Sequence, residues 1–111
     1  MHEPDWRIFV FDILRAIANI EAFAQGYDAT ALAADTMRLH AVVFDLSIVG
    51  EALKRLDAVR PDLTAGLPVQ QAWSMRNRLI HGYAQIDPSL VFGVIRDDLP
   101  ALKKALEPLD G

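Results

Sequence analysis

Apolar residues recur at three- and four-residue spacing along the first quarter of the chain. They are Trp6, Phe9, Val10, Ile13, Ile17, Ile20 and Phe23. This spacing is typical of an amphipathic helix with one apolar face. We expect the helix to run from about Pro4 to Gln25, because proline suits the first helical position and Gly26 suits a stop. Ile8 and Phe11 fall on the polar side, so they are candidates for contact with a partner.

The next part of the chain predicts a short helix and then a long one. Asp28 can cap a short helix over residues 29–34, and the long helix should run from Asp35 or Thr36 to about Ala58. Its apolar residues form two nearly opposite faces: Leu39, Val42, Val43, Leu46, Val49, Leu53 and Leu56 on one, and Ala41, Phe44, Ile48 and Ala52 on the other. A helix that is apolar on two sides is buried on two sides. We therefore expect a central bundle helix or an oligomer interface.

Turn-forming residues interrupt the helical pattern between Pro61 and Pro68, and they predict a loop there. A further helix should start near Pro68 and end near Ile80 or His81. Gly82 would then occupy the position just after the helix end, where glycine is common.

The last helix is predicted to start at Asp87-Pro88, a capping acceptor followed by proline at the first helical position. Its inner face would carry Val91, Ile95, Leu99, Leu102 and Leu106. Pro100 should kink or restart this helix. The chain has no sustained alternation of apolar and polar residues that would predict a β-strand. Residues 1–111 are thus expected to form a single all-α domain, a bundle of four to five helices.

Composition narrows the classes of function. The chain has 111 residues with a hydrophobic fraction of 52%, which is not typical of disorder. It lacks cysteine, and His2, His40 and His81 show no metal-ligand spacing, so neither a metal nor a cofactor is expected. Without a signal segment or a membrane-length apolar run, we expect a cytoplasmic protein. The net charge of −4 means that any nucleic-acid contact requires a local cationic patch.

The segment from Trp73 to Tyr83 concentrates the polar chemistry. Arg76, Asn77, Arg78, His81 and Tyr83 lie within eight residues. Metal-free RNA cleavage requires a base for the ribose 2′-OH, an acid for the leaving oxygen, and a cation for the phosphate. Imidazole can act as base or acid near neutral pH, and guanidinium suits phosphate.

These residues also have purely structural interpretations. Arg76 could be a surface cation in an ion pair, and His81 could simply be favoured by the helix dipole. Tyr83 could pack its ring with a solvated hydroxyl. Glu51 lies between two apolar faces and should form an ion pair with a cation. Arg76 or Arg78 is its expected partner. Each chain supplies one histidine in this segment, so two histidines require a dimer.

The segment resembles the HEPN ribonucleases, and in particular their HepT-like branch. That branch carries Arg, four residues, His, one residue and Tyr, which Arg76, His81 and Tyr83 match. The run Ile48-Val49-Gly50-Glu51-Ala52 is also similar to the family's usual Ile-Gly-Glu-Ala.

The resemblance implies a homodimeric RNA-cutting toxin whose two motifs meet in a cleft. Arg76 and His81 would be catalytic, with Asn77, Arg78 and Glu51 supporting them. The resemblance also implies a partner, a minimal nucleotidyltransferase (MNT) antitoxin. It would silence the toxin by AMPylation of Tyr83.

Two other classes of function fit the sequence. The chain could be a non-catalytic subunit that holds nucleotide or substrate for a neighbouring nucleotidyltransferase, which its acidic charge favours. It could also be a plain helical dimerisation module, which the two apolar faces of the long helix favour.

Overall fold

Helices form the regular structure of the computed structural model, which describes residues 5–82 and 86–110. No strand occurs in these ranges. The α-helices are α1 (Trp6–Ala24), α2 (Ala29–Ala34), α3 (Thr36–Val59), α4 (Pro61–Thr64), α5 (Val69–His81), α6 (Pro88–Gly93) and α7 (Leu99–Leu106). A π-helical turn, Val94–Asp98, joins α6 to α7, and a 3₁₀ turn follows at Glu107–Leu109. The long segments α1, α3, α5 and α6–α7 form a bundle, which confirms the predicted all-α class.

The core lies mainly between α1 and α3. The side chains that are essentially inaccessible to solvent are Val10, Ile13, Ile17, Ile20, Leu32, Val42, Leu53, Leu56, Val91 and Leu106. Removing such side chains from water supplies the main favourable term in folding, about 1.5–3 kcal/mol for each large one. They include residues of the apolar face predicted for the first helix and of the face that runs from Leu39 to Leu56 on the long helix. The opposite face predicted for the long helix is only partly buried, since Ala52 is buried but Phe44 is 66% exposed.

Arg38 fastens the start of α3 to the end of α1. Its guanidinium Nη1 donates to the Phe23 carbonyl oxygen at 2.8 Å, and its Cζ lies 4.4 Å from the centre of the Tyr27 ring. Asp35, the N-cap of α3, accepts from the Arg38 backbone N–H at 3.0 Å. That backbone hydrogen bond is the main reason why the pKa of Asp35 is lowered. Because these contacts join the end of one helix to the start of the other, α1 and α3 run antiparallel.

The predicted starts of α2, α3 and α6 are confirmed, and α1 begins slightly later than expected. Asp28 and Asp87 cap α2 and α6 through their carboxylates. Asp5 caps α1 by accepting from the Arg7 backbone N–H, and Pro4 lies outside the described residues. Gly26 follows α1 with φ +78°, a conformation that only glycine adopts readily.

The predicted loop from 61 to 68 is partly wrong, because it begins with the one-turn helix α4. Pro61 starts this turn, and the buried Thr64 ends it by donating its hydroxyl to the Asp57 carboxylate on α3. Four residues are too few to show helical periodicity, so the sequence pattern missed the turn.

The predicted helix end near Ile80 or His81 is confirmed, because α5 ends at His81. Gly82 is the cap residue itself rather than the residue after the cap, with φ −116°, and its N–H donates to the Arg78 carbonyl oxygen at 2.8 Å. A Cβ on Gly82 would lie 2.9 Å from that same oxygen. Close backbone approach, rather than a left-handed conformation, explains the glycine.

The prediction that Pro100 restarts the last helix is confirmed. Proline has no N–H and its ring clashes with the carbonyl four residues earlier. The π-helical turn Val94–Asp98 widens the backbone just before it, and Pro100 lies in the first turn of α7.

Within residues 5–82 and 86–110, no helix is long and apolar enough to cross a bilayer.

Asp45 is a buried carboxylate on α3 and generates a prediction about stability. It is 6% exposed, and desolvation raises its pKa, while a hydrogen bond with Asn19 on α1 acts in the opposite direction. The folded state therefore binds a proton at Asp45 more tightly than the unfolded state does. The ionised carboxylate costs stability, and this cost disappears as the pH falls below the unfolded pKa of 3.8.

We expect Asp45→Asn to raise the free energy of unfolding at pH 7, because the amide keeps a hydrogen bond to Asn19 without a buried charge. Urea denaturation of wild type and variant at pH 7 and at pH 4 tests this. The difference between the two proteins should shrink at pH 4. A variant less stable than wild type at pH 7 would contradict the prediction.

Candidate functional site

The helix that carries the predicted site, α5, is held mainly by α3. Its one buried residue is Leu79, and its principal contacts are with α3. The two helices meet at Gly50, where a Cβ would lie 2.7 Å from both the Ala72 carbonyl oxygen and the Arg76 Cβ. Real Cβ atoms essentially never approach so closely. Gly50 therefore allows α5 to lie directly on α3 at the position of Arg76.

Arg76 is the centre of the contacts that this approach creates. Its side chain is 22% exposed, and its Nη1 donates to the Asn77 side-chain oxygen at 2.9 Å. Its Nη2 lies 3.9 Å from a Glu51 carboxylate oxygen, and its Cζ lies 4.9 Å from the centre of the Trp73 ring. Three neighbours thus restrict the guanidinium, and two of them come from α5 itself.

The guanidinium is nevertheless poorly satisfied. Its Nε is buried without an acceptor, and 3.9 Å to Glu51 is too long for a hydrogen bond. Among the described residues, Asn77 is the only side chain that accepts from it. Buried donors are normally paired, and guanidinium presents five donors in a planar fork. Arg76 therefore retains terminal donors for an oxyanion such as phosphate.

Glu51 bridges two arginines rather than one. Its Oε1 accepts from Arg55 Nη2 at 3.0 Å, one helical turn further along α3, while Oε2 faces Arg76. Of the two expected partners, Arg76 lies near it, whereas Arg78 does not lie within the 4.0 Å limit of an ion pair. The stronger contact, with Arg55, was not predicted, although the four-residue spacing is a usual signal for it.

His81 lies apart from Arg76, as the exposed last residue of α5. It borders an open hollow of about 580 Å³ together with Asn77, Arg78, Gly82 and Asp87. Five residues along a helix rotate a side chain by about 140° around the axis. The structure accordingly gives no hydrogen bond between His81 and Arg76. Tyr83 lies outside the described residues.

Two residues near Arg76 were not predicted as site residues. Trp73 lies one turn before Arg76, and the Lys54 Nζ of α3 lies 4.4 Å from the centre of the same ring. The three-residue spacing of Trp73 and Arg76 is a signal for their contact, whereas the contact with Lys54 depends on how α3 and α5 pack.

These features define a class of protein: a helical bundle that presents cations and a histidine at one helix, suited to a phosphate-bearing ligand. Among residues 5–82 and 86–110, no group of three or more histidine, cysteine, aspartate or glutamate side chains could hold a metal ion. The chain belongs to the HepT-like ribonuclease family, whose model matches residues 13–109.

Several relatives match nearly the whole chain. A protein of Thermococcus cleftensis named "probable ribonuclease HepT" is 31% identical over 91% of this chain and 92% of its own. A candidate RNase of Methanocaldococcus jannaschii is 29% identical over 96% of this chain and 98% of its own. A second candidate RNase of that organism is 27% identical over 98% of this chain and 94% of its own. No solved structure matches the chain.

The contact at Gly50 generates a prediction. We expect Gly50→Ala to destabilise the protein by about 1–3 kcal/mol, because the methyl group would push α5 away from α3. Thermal and urea unfolding measure this effect. The matched control is Gly93→Ala, since Gly93 is also helical and nothing lies within 4 Å of its added Cβ.

The control should be more stable than wild type by about 0.5–1 kcal/mol, since alanine favours a helix over glycine. Equal stability of the two alanine variants would show that α3 and α5 do not approach as closely as the structure indicates.

Proposed function

We propose that this chain is a metal-independent endoribonuclease, the toxin of a HepT/MNT-type toxin–antitoxin pair. The observation that carries the proposal is the incompletely satisfied Arg76 guanidinium, held by Glu51, Asn77 and Trp73 on the helix that ends in His81. The family supplies the reaction class, cleavage of RNA.

The proposed reaction is attack by the ribose 2′-OH on the adjacent phosphorus. One His81 imidazole takes the 2′ proton as the P–O2′ bond forms. The P–O5′ bond breaks, and the imidazolium of a second His81 protonates the leaving 5′ oxygen. The products are a 2′,3′-cyclic phosphate and a 5′-hydroxyl. Arg76 binds the non-bridging oxygens, where negative charge builds in the transition state. Asn77, which accepts from Arg76, and Arg78, which lines the same hollow as His81, support these groups.

A homodimer would supply the second histidine. In one chain, Arg76 and His81 point in different directions around α5, so a second copy can bring the missing group to each site. The surface beside Glu51 suits such a contact. A groove of about 240 Å³ between α1 and α3 is lined by Phe9, Asp12, Ile48, Glu51, Ala52 and Arg55. One helical turn before Ile48 on α3 lies Phe44, which is 66% exposed. We refer to Phe44 and Ile48 as the apolar patch.

We also propose that an MNT-type nucleotidyltransferase antitoxin silences the toxin by AMPylation of Tyr83. In sequence, Tyr83 follows His81 by two residues. The added phosphate would pair with nearby cations, and the bulk of AMP would block RNA from His81.

The first test compares the purified wild type with two variants. We expect His81→Ala to lower the rate of RNA cleavage by about 10²–10⁴ and Arg76→Ala by about 10²–10³, the range seen when a donor to a developing oxyanion is lost. Wild-type activity should persist in EDTA. Intact mass is measured beforehand, because AMP on Tyr83 would hide the activity.

His40→Ala is the matched control, because His40 is also an exposed histidine on a helix, about 16 Å before Glu51 along α3. It should cleave like wild type. If unmodified, folded wild type leaves RNA intact, the catalytic proposal fails. Nucleotide binding that is lost in Arg76→Ala would then favour the alternative, a non-catalytic subunit of a nucleotidyltransferase.

The second test concerns the dimer. We expect Phe44→Glu to convert a dimer to a monomer, because it places a charge within the apolar patch. Light scattering after size-exclusion chromatography measures the mass. Ala101→Glu adds the same charge to an exposed position on α7 and should remain a dimer. A wild type that is monomeric at micromolar concentration would contradict the proposed two-histidine site.

A further inference from the structure

We propose that Lys54 and Trp73 form a second phosphate-binding site beside Arg76, which holds the RNA phosphodiester next to the one that is cut. The inference rests on the proposed ribonuclease function and extends its site onto α3. It assigns Lys54 the role of a binding residue and Trp73 the role of a positioning residue.

The Trp73 ring contacts one cation from each of the two helices α3 and α5. Lys54 Nζ lies 4.4 Å and Arg76 Cζ lies 4.9 Å from its centre. The two cationic centres can therefore be no farther apart than these two distances together. A nucleic-acid strand carries one phosphate per nucleotide, spaced by about 3.4 Å along the axis of a B-form duplex. Two cations at such a separation can contact neighbouring phosphates of one strand.

Lys54 has its charge available for this contact. Most cations of the described chain lie within 4.0 Å of a carboxylate: Arg7, Arg38, Arg55, Arg60, Arg76, Arg96 and Lys103. Lys54 has no such partner among the described residues, and it is exposed. Glu51, one turn before it, is engaged with Arg55 and Arg76. A free cation beside the site is notable in a chain of net charge −4.

The ring of Trp73 explains why this lysine would bind better than an ordinary surface lysine. A flexible side chain loses conformational freedom when a ligand immobilises it, and this loss weakens binding. The cation–π contact already restricts the Lys54 ammonium, so less freedom remains to be lost. Ammonium binds phosphate as a point charge with three donors, and it can contact an oxygen while it stays over the ring edge.

The test measures RNA binding separately from cleavage. All variants are made in a His81→Ala parent, and the dissociation constant of a short single-stranded RNA is measured from 50 to 200 mM salt. Each lysine–phosphate contact on a single strand contributes about 0.7 to the slope of log K against log salt. We expect Lys54→Gln to bind more weakly and to lose about 0.7 of that slope. Lys54→Arg should restore both.

Lys104→Gln is the matched control, because Lys104 is an exposed helical lysine that also has no carboxylate within 4.0 Å among the described residues. It should keep the slope of the parent. Trp73→Leu should weaken RNA binding through the loss of the ring that positions Lys54 and Arg76.

The outcomes separate this inference from the proposed function. If Lys54→Gln matches Lys104→Gln in affinity and slope, the second phosphate site is refuted while the ribonuclease stands. Weaker binding with an unchanged slope would also refute it, since that result indicates lost packing rather than a lost phosphate contact. If the parent shows no salt-dependent RNA binding at all, the ribonuclease and the second site fail together.

Discussion

The contact of α5 with α3 at Gly50 is the constraint on which the candidate site depends. α5 fully buries only Leu79, while Val69, Ala72 and Met75 pack half-buried against the core. Without a side chain at Gly50, the Ala72 carbonyl and the Arg76 Cβ can lie directly against the α3 backbone. This approach brings Arg76 to Glu51 and Trp73 to Lys54. A wider separation of the helices would leave each of these groups in solvent, where the same charges interact weakly.

The distribution of charge follows from the same packing. The chain is acidic, and most of its arginines are neutralised by a carboxylate nearby in sequence, such as Arg60 by Asp62 and Arg96 by Asp97. These pairs raise the arginine pKa and lower the aspartate pKa, mainly through the side-chain hydrogen bond that joins them. At the α3–α5 contact, Glu51 serves two arginines at once, so the cations there are incompletely compensated. A local cationic surface thus arises in a protein whose net charge would repel RNA.

Much of the fold could be predicted from the sequence because its determinants are local. Helical periodicity gave the buried faces of α1 and α3, and single residues such as Asp28, Asp87 and Gly26 gave the helix ends. The helix α4 was missed because its four residues contain too little pattern. The role of Gly82 was misjudged because two different constraints can require a glycine. One is a left-handed backbone conformation and the other is close contact with another backbone atom, and sequence alone does not distinguish them.

The candidate site likewise has features that the sequence predicts and features that depend on packing. The spacing of Arg76, Asn77 and His81 within one helix is a sequence property, and so is the family resemblance. The pairing of Glu51 with Arg55, four residues apart on α3, depends on side-chain rotamers. The contact of Lys54 with Trp73 is a tertiary contact between two helices, which helical periodicity does not encode. The sequence pattern therefore did not mark Trp73 as a site residue, although its ring contacts two cations.

Arg76 and His81 project in different directions from α5. This explains why the proposed reaction would need two copies of the chain. A phosphoryl transfer requires a cation at the non-bridging oxygens and two proton-transfer groups on opposite sides of the phosphorus. One helix cannot place these groups around a single phosphate, because its side chains radiate outward from the axis. Two helices that face each other can surround the phosphate, with the cation from one and the imidazole from the other. A charge-bearing helix beside an exposed apolar patch suits that arrangement.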